Sequence, residues 1–148
     1  MSLFDRLQQN RGEKIKAEKD AGAAFLDANR AKEGVQVFEN SMQYKVLQQG
    51  TGEKPPPNAT IKAHYIGRLL NGTEFDNSFK RNQPFTAPLN ALIKGWQQLI
   101  PQMPVGSKWQ IWIPSDLAYG DGGVGQAGIP GGAVLEFEIE LLEIVSKK

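Results

Sequence analysis

The chain contains no cysteine, which excludes a disulfide framework, a thiolate nucleophile and any Cys-ligated metal. His64 is its only histidine, so a multi-His metal site is excluded as well. No metal and no cofactor are expected. Net charge is nearly absent: the formal value is +1 at pH 7. With neither half strongly basic, no nucleic-acid partner is expected. No apolar run approaches the ~20 residues that a membrane span needs. The opening MSLFDRLQQNRGEKIK lacks the apolar core of a signal peptide. The compartment expected is cytoplasmic, or periplasmic where a signal peptide has been removed. None of the six serines sits in a Gly-x-Ser-x-Gly elbow. Parts for conventional nucleophilic or acid–base catalysis are scarce.

What is present divides into two compositions that meet near residue 34. The 148 residues give room for one ordinary domain plus an appendage. Residues 13–33 (EKIKAEKDAGAAFLDANRAKE) are rich in Ala, Glu and Lys and free of proline. They read as a helix, with Ile15, Ala21 or Gly22, Phe25, Leu26 and Asn29 on one face. Residues 1–12 show no sustained period and read as frayed. Gly34 stands where a helix C-cap is expected. All nine prolines and most of the sixteen glycines follow residue 50, which implies a turn-rich body of strands. The period changes to two at Gln36-Val37-Phe38 and at Met42 to Leu47, around a turn at Glu39-Asn40-Ser41. It recurs at Ile61 to Gly67, before the hairpin signal Asn71-Gly72, and in strands at 109–113 and 134–145. Residues 91–99, between Pro88 and Pro101, read as a short helix. Four or five strands with one short helix make an α+β fold on an antiparallel sheet. The expected units are an N-terminal helical segment, 1–33, and a globular domain, 34–148.

Three candidate sites read better as structure. His64 lies in an alternating strand, so it is a surface or hydrogen-bonded residue rather than a general base. Glu136, Glu138 and Glu140 are the solvated face of a strand rather than a glycosidase pair. Gly123-Val124-Gly125-Gln126-Ala127-Gly128 satisfies the string G-x-G-x-x-G, but that motif works only between a strand and a helix. Here glycines precede it and Ile129-Pro130-Gly131-Gly132 follows, so it reads as a mobile glycine loop. More informative is a set of aromatic and apolar residues beside turns: Tyr65, Phe75, Phe85, Trp96, Tyr119, Ile129 and Phe137. Tyr65 and Tyr119 carry hydroxyls that need partners when buried. An apolar concavity with a few polar groups is the usual form of a small-ligand site.

These segments resemble the tacrolimus-binding (FKBP) family of peptidyl-prolyl cis–trans isomerases. The stretches that carry the resemblance are Ala63-His64-Tyr65-Ile66-Gly67, Gly72-Thr73-Glu74-Phe75-Asp76-Asn77-Ser78, Ile93-Lys94-Gly95-Trp96, Met103-Pro104-Val105-Gly106, Ile113-Pro114-Ser115-Asp116-Leu117-Ala118-Tyr119-Gly120, Gly128-Ile129-Pro130 and Leu135-Glu136-Phe137-Glu138-Ile139-Glu140-Leu141-Leu142. The Ala-rich segment before them resembles the bacterial branch with an N-terminal helical dimerisation segment. The resemblance implies an antiparallel half-barrel sheet wrapped around a short helix. Trp96 would be the floor of the pocket, with Tyr65, Phe75, Phe85, Leu92, Ile93 and Phe137 as walls. Tyr119 and the Ile93 amide would bind peptide carbonyls. Asp76, with Tyr65 and Arg81, would form the polar edge, and Ile129 the flap side.

The activity implied is isomerisation of Xaa-Pro bonds in protein folding, on proline-containing peptides and unfolded protein clients, with tacrolimus- or rapamycin-type macrolides as inhibitors. The alternative is a non-catalytic prolyl-peptide-binding or chaperone module. Both a monomer and a dimer through the N-terminal segment are open, and the shortness of that segment favours a monomer. The chain departs from the family pattern at Ala87, where many members place a second aromatic after Phe85, which would open that wall. The 120–128 loop is also longer and richer in glycine than in compact eukaryotic members. Both departures bear on substrate preference and inhibitor affinity.

Overall fold

Most of the chain after residue 34 alternates its side chains. In the computed structural model, which describes residues 2–147, the alternating segments form one antiparallel sheet. Its strands are β1 (Val35–Val37), β2 (Gln43–Gln48), β3 (Thr60–Leu69), β4 (Glu74–Asn77), β5 (Phe85–Pro88), β6 (Lys108–Ile113) and β7 (Leu135–Ser146). The spatial order is β1-β2-β6-β7-β3, and β4 and β5 both pair along the outer edge of β3. The fold is thus the α+β arrangement expected, an N-terminal helix plus an open antiparallel sheet with a short helix. There are seven strands rather than four or five. The extra ones, β4 and β5, have four residues each, too few to show a period. The longest pairing, β3 with β7, runs from Leu69 opposite Leu135 to Thr60 opposite Ser146.

Alternation sorts the two faces of the sheet. On β7, Leu135, Phe137, Ile139 and Leu141 are buried, while Glu136 and Glu138 point the other way and accept hydrogen bonds from Arg68. The apolar face is covered by helix α2 (Lys94–Leu99). Here the reading of a helix over 91–99 needs correction. Leu89–Ala91 is a separate 3-10 turn, and Leu92 and Ile93 are extended, with ψ near 169° and 153°. Trp96, Leu99 and Ile100 are buried against the sheet. The close approach depends on Gly95, where an added Cβ would lie 2.6 Å from Ile113 Cγ2.

The opposite face takes α1 (Leu3–Asn29), which begins earlier and ends earlier than its periodicity suggests. Residues 3–12 are helical rather than frayed because a capping box starts them. Asp5 N donates to Ser2 Oγ at 3.1 Å and Ser2 N to Asp5 Oδ2 at 3.3 Å. The helix stops at Asn29 because that residue is tied to the sheet: Asn29 Nδ2 donates to Gln43 Oε1 and Gln43 Nε2 to the Leu26 carbonyl, both at 2.8 Å. Gly34, at φ +83°, therefore serves the turn into β1 and is not the helix cap, a position held by Arg30. Gly22, Leu26 and Asn29 are the buried face, with Leu26 packed on Trp112 and Val134.

Replacing Asn29 with alanine should leave the buried Gln43 Oε1 without its donor. Loss of one partner from a buried pair costs about 1–3 kcal/mol. The expected result is a lower urea midpoint with an unchanged slope, and Asn29→Asp should not restore it.

Candidate active site

Tyr65 and Gly67 lie two apart on β3 and so share its concave face. Gly67 has no side chain, and the rings of Phe75 and Phe137 fill the space: an added Cβ would stand 2.6 Å from Phe75 Cε1 and 3.1 Å from Phe137 Cε1. Trp96 rises from α2 beneath them. Its ring meets Tyr65 at 5.1 Å and Phe137 at 5.0 Å, both edge-to-face, and Phe85 at 5.6 Å. Together they line a cavity of about 470 Å³, large enough for a short peptide segment. The Trp96 Nε1–H is buried with no hydrogen-bond partner among the described residues, so packing alone holds this indole.

One edge of the cavity is polar. The Tyr65 hydroxyl donates to Asp76 Oδ2, Arg81 pairs with Oδ1, and the Asn77 amide donates to Oδ1 at 2.9 Å. Ser78 fixes the strand beneath Tyr65: Tyr65 N donates to Ser78 Oγ at 2.7 Å, and Ser78 N donates to the Tyr65 carbonyl at 2.9 Å. His64 lies on the other face of the strand, its Nδ1 2.8 Å from Ser78 Oγ and its ring stacked on Phe79. It is a hydrogen-bonded strand residue, away from the cavity. Across the mouth stands Tyr119, 42% exposed, whose hydroxyl has no partner among the described residues. Burial, and then the nearby Asp76 carboxylate, push its pKa above the ordinary tyrosine value, so it stays a neutral donor at physiological pH. The Ile93 amide, just before α2, makes no backbone hydrogen bond among the described residues.

The cavity brings together Tyr65, Phe75, Asp76, Phe85, Leu92, Ile93, Trp96, Tyr119, Ile129 and Phe137. Arg81 is not among the lining residues and pairs with Asp76 at the edge. Ala87, on β5 opposite Ile61 of β3, is not among the lining residues either. Sequence reasoning missed Ala91, Val124 and Ala127. The last two belong to the glycine loop, which folds back as Val124 and Ile129 exchange hydrogen bonds of 2.9 and 3.0 Å. The glycine string itself holds only a three-residue 3-10 turn, Gly125–Ala127, and β7 is the next element after it, so among the described residues no helix N-terminus stands there to receive a phosphate. Apolar side chains inside a run of glycines were the available signal. Gly67 carried another, since glycine inside an alternating strand marks a close approach. Among the described residues, no cluster of three or more His, Asp or Glu side chains is arranged to hold a metal ion.

The family described as FKBP-type peptidyl-prolyl cis-trans isomerase matches residues 51–142, and the domain amino terminal to such isomerases matches residues 1–46. The FKBP-type isomerase FkpA of Aeromonas hydrophila is 48% identical over 137 residues, covering 88% of this chain and 50% of that protein. The FKBP-type 22 kDa isomerase of Escherichia coli is 41% identical over 143 residues, covering 97% and 69%. The crystal structure of FkpA from Escherichia coli superposes with a TM-score of 0.89 at 31% identity, over 95% of this chain and 65% of that one. This chain spans half the length of the Aeromonas relative.

The raised Tyr119 pKa has a measurable sign. Stability from its neutral form is fully present below pH ~10, the ordinary tyrosine value, and is lost as pH rises through the higher folded value. A 295 nm titration of the parent minus Tyr119→Phe should give a midpoint above that of a free tyrosine. Asp76→Asn should lower it only in part, because burial is the larger cause. A difference midpoint at the free-tyrosine value would contradict this.

Proposed function

The chain belongs to the FKBP-type peptidyl-prolyl cis–trans isomerase family, and on that premise we propose that it accelerates rotation about Xaa-Pro bonds in peptides and unfolded protein clients. The observation that carries the proposal is the aromatic cavity above Trp96 with a polar chain, Tyr65–Asp76–Arg81, along one edge. The reading divides the chain into an N-terminal arm, 1–33, and an isomerase domain, 34–148.

The chemistry suits a site poor in acids and bases. Rotation about a peptide bond costs ~18–20 kcal/mol because planarity carries the amide resonance. It needs no nucleophile and no net proton transfer, yet at Xaa-Pro it takes tens to hundreds of seconds unaided. The planar amide is the more dipolar state, with negative charge on oxygen, whereas the twisted amide keeps its lone pair on nitrogen. Transfer from water into an apolar cavity disfavours the planar state relative to the twisted one. Each ~1.4 kcal/mol of that difference is worth about tenfold in rate. The proline ring would rest on Trp96. The Tyr119 hydroxyl and the Ile93 amide, both without partners among the described residues, would take carbonyls of the bound segment. Asp76, held by Tyr65, Arg81 and the Asn77 amide, would keep the edge rigid.

Macrolides of the tacrolimus or rapamycin type would enter the same cavity. A second copy of the chain is the further partner proposed. Leu3, Phe4 and Leu7 are 72, 66 and 58% exposed and share one side of α1, which favours pairing over the monomer that a short segment suggests.

A protease-coupled assay on Leu-Pro and Phe-Pro peptides should show acceleration at micromolar chain. Tyr119→Phe and Asp76→Ala should reduce it with a smaller loss of stability. A folded sample without acceleration would promote the non-catalytic binding module instead. Saturating macrolide should raise the melting temperature, since a ligand at a hundredfold excess over Kd stabilises the native state by about 2.7 kcal/mol. In sedimentation, the parent should be a dimer and Phe4→Lys/Leu7→Lys an active monomer.

A further inference from the structure

The loop that carries Tyr119 and Ile129 has a narrow neck. Gly132 N donates to the Gly120 carbonyl at 2.9 Å, and Gly123 N to the Tyr119 carbonyl at 3.1 Å. Gly131 lies so close to Asp121 that an added Cβ would sit 1.9 Å from the Asp121 carbonyl oxygen. Seven of the residues from 120 to 132 are glycine, so the neck has little side chain of its own to anchor it, and glycine-rich backbone has much freedom to lose. Its inner side faces the cavity. Its outer side lies against α1. An added Cβ on Gly132 would be 2.7 Å from the Ile15 carbonyl oxygen and 3.3 Å from Ile15 Cγ2, and one on Gly131 3.2 Å from Ile15 Cγ1. One turn along α1, Lys19 Nζ lies 2.7 Å from Asp121 Oδ1.

From these contacts we infer that Ile15 and Lys19 are positioning residues for the isomerase site, acting through the loop neck on Tyr119. The neighbouring hydroxyl makes the point specific. Because the Tyr119 hydroxyl has no partner of its own among the described residues, the backbone at 119–121 sets where the ring stands, and residues 131–132 lie between that backbone and Ile15 of α1. The helix is a firm backing there, since farther along it is fixed by Gly22 against Val134, Leu26 against Trp112 and Asn29 against Gln43. Ile15 does more of the holding than Lys19, whose ion pair is 49 and 63% exposed and is screened by water. The segment that the family places ahead of the isomerase domain is therefore part of the site's own framework. The consequence for turnover rests on the isomerase reading; the bracing does not.

The test uses the full chain with Ile15→Ala/Lys19→Ala, and amide hydrogen exchange alongside kcat and KM on a Leu-Pro peptide. Exchange at 119–132 should quicken about tenfold while exchange in β6 and β7 stays at the parent rate. Misplacement of a positioned group should lower kcat/KM about tenfold with a small change in melting temperature. Should that variant not fold, the exposed Lys19→Glu gives the same readouts. It should loosen the loop against Asp121, Lys19→Glu/Asp121→Lys should restore it, and Lys19→Arg should match the parent. Parent-like loop exchange in the folded variants overturns the inference, and so does faster exchange with kcat/KM unchanged. A parent chain with no isomerase activity refutes the proposed function instead, and the exchange pattern alone then decides the brace.

Discussion

Everything in the site depends on a helix too short to exist alone. An isolated segment as brief as α2 would not stay helical in water; it persists because it is pressed into the concave side of the sheet. That contact is possible because residue 95 is glycine and lets the helix axis come down onto Ile113. With the helix seated, Leu99, Ile100 and Met103 complete the main core, and Trp96, itself buried, lines the cavity.

The division of labour between the faces of β3 follows from a period of two. Tyr65 and Gly67 look into the cavity while His64 and Arg68 look out, and Ser78 touches both sets by bonding the backbone between them. The polar edge is rigid because each oxygen of Asp76 has its own donor. A carboxylate so occupied shapes and polarises the rim. In a cavity whose proposed reaction moves no proton, that is the useful property, since a free acid or base there would only be solvated.

Legibility in the sequence followed the length of the signal. Residues 135–141 of β7 announced their faces by alternation, and the helical spacing of Ile15, Ala21 or Gly22, Phe25, Leu26 and Asn29 indicated the side of α1 on which Gly22, Leu26 and Asn29 are buried. The pocket aromatics stood out by lying beside turns, and the family pattern placed them together. What escaped was either short or relational. The four-residue strands gave no period, and the start of α1 lay in the Ser2–Asp5 cap rather than in any periodicity. Its end was set by Gln43, fourteen residues on from Asn29. Arg81 pairs with Asp76 but does not itself line the cavity, a distinction no spacing in the sequence carries. Val124 and Ala127 were hidden in a loop whose glycines drew attention to flexibility rather than to the apolar side chains between them.

The split edge of β3 has one more effect. A sheet with a long free strand invites other chains to zip onto it. Here β1 has three residues, and the far side of β3 is covered in two short pieces, β4 and β5. In the interval between them, Ser78 supplies the hydrogen bonds that a neighbouring strand would have made to Tyr65. No stretch of edge is long enough to template an extended chain. A protein whose proposed work keeps it among unfolded chains can thus take a proline into its cavity without offering its own sheet as a seed for aggregation.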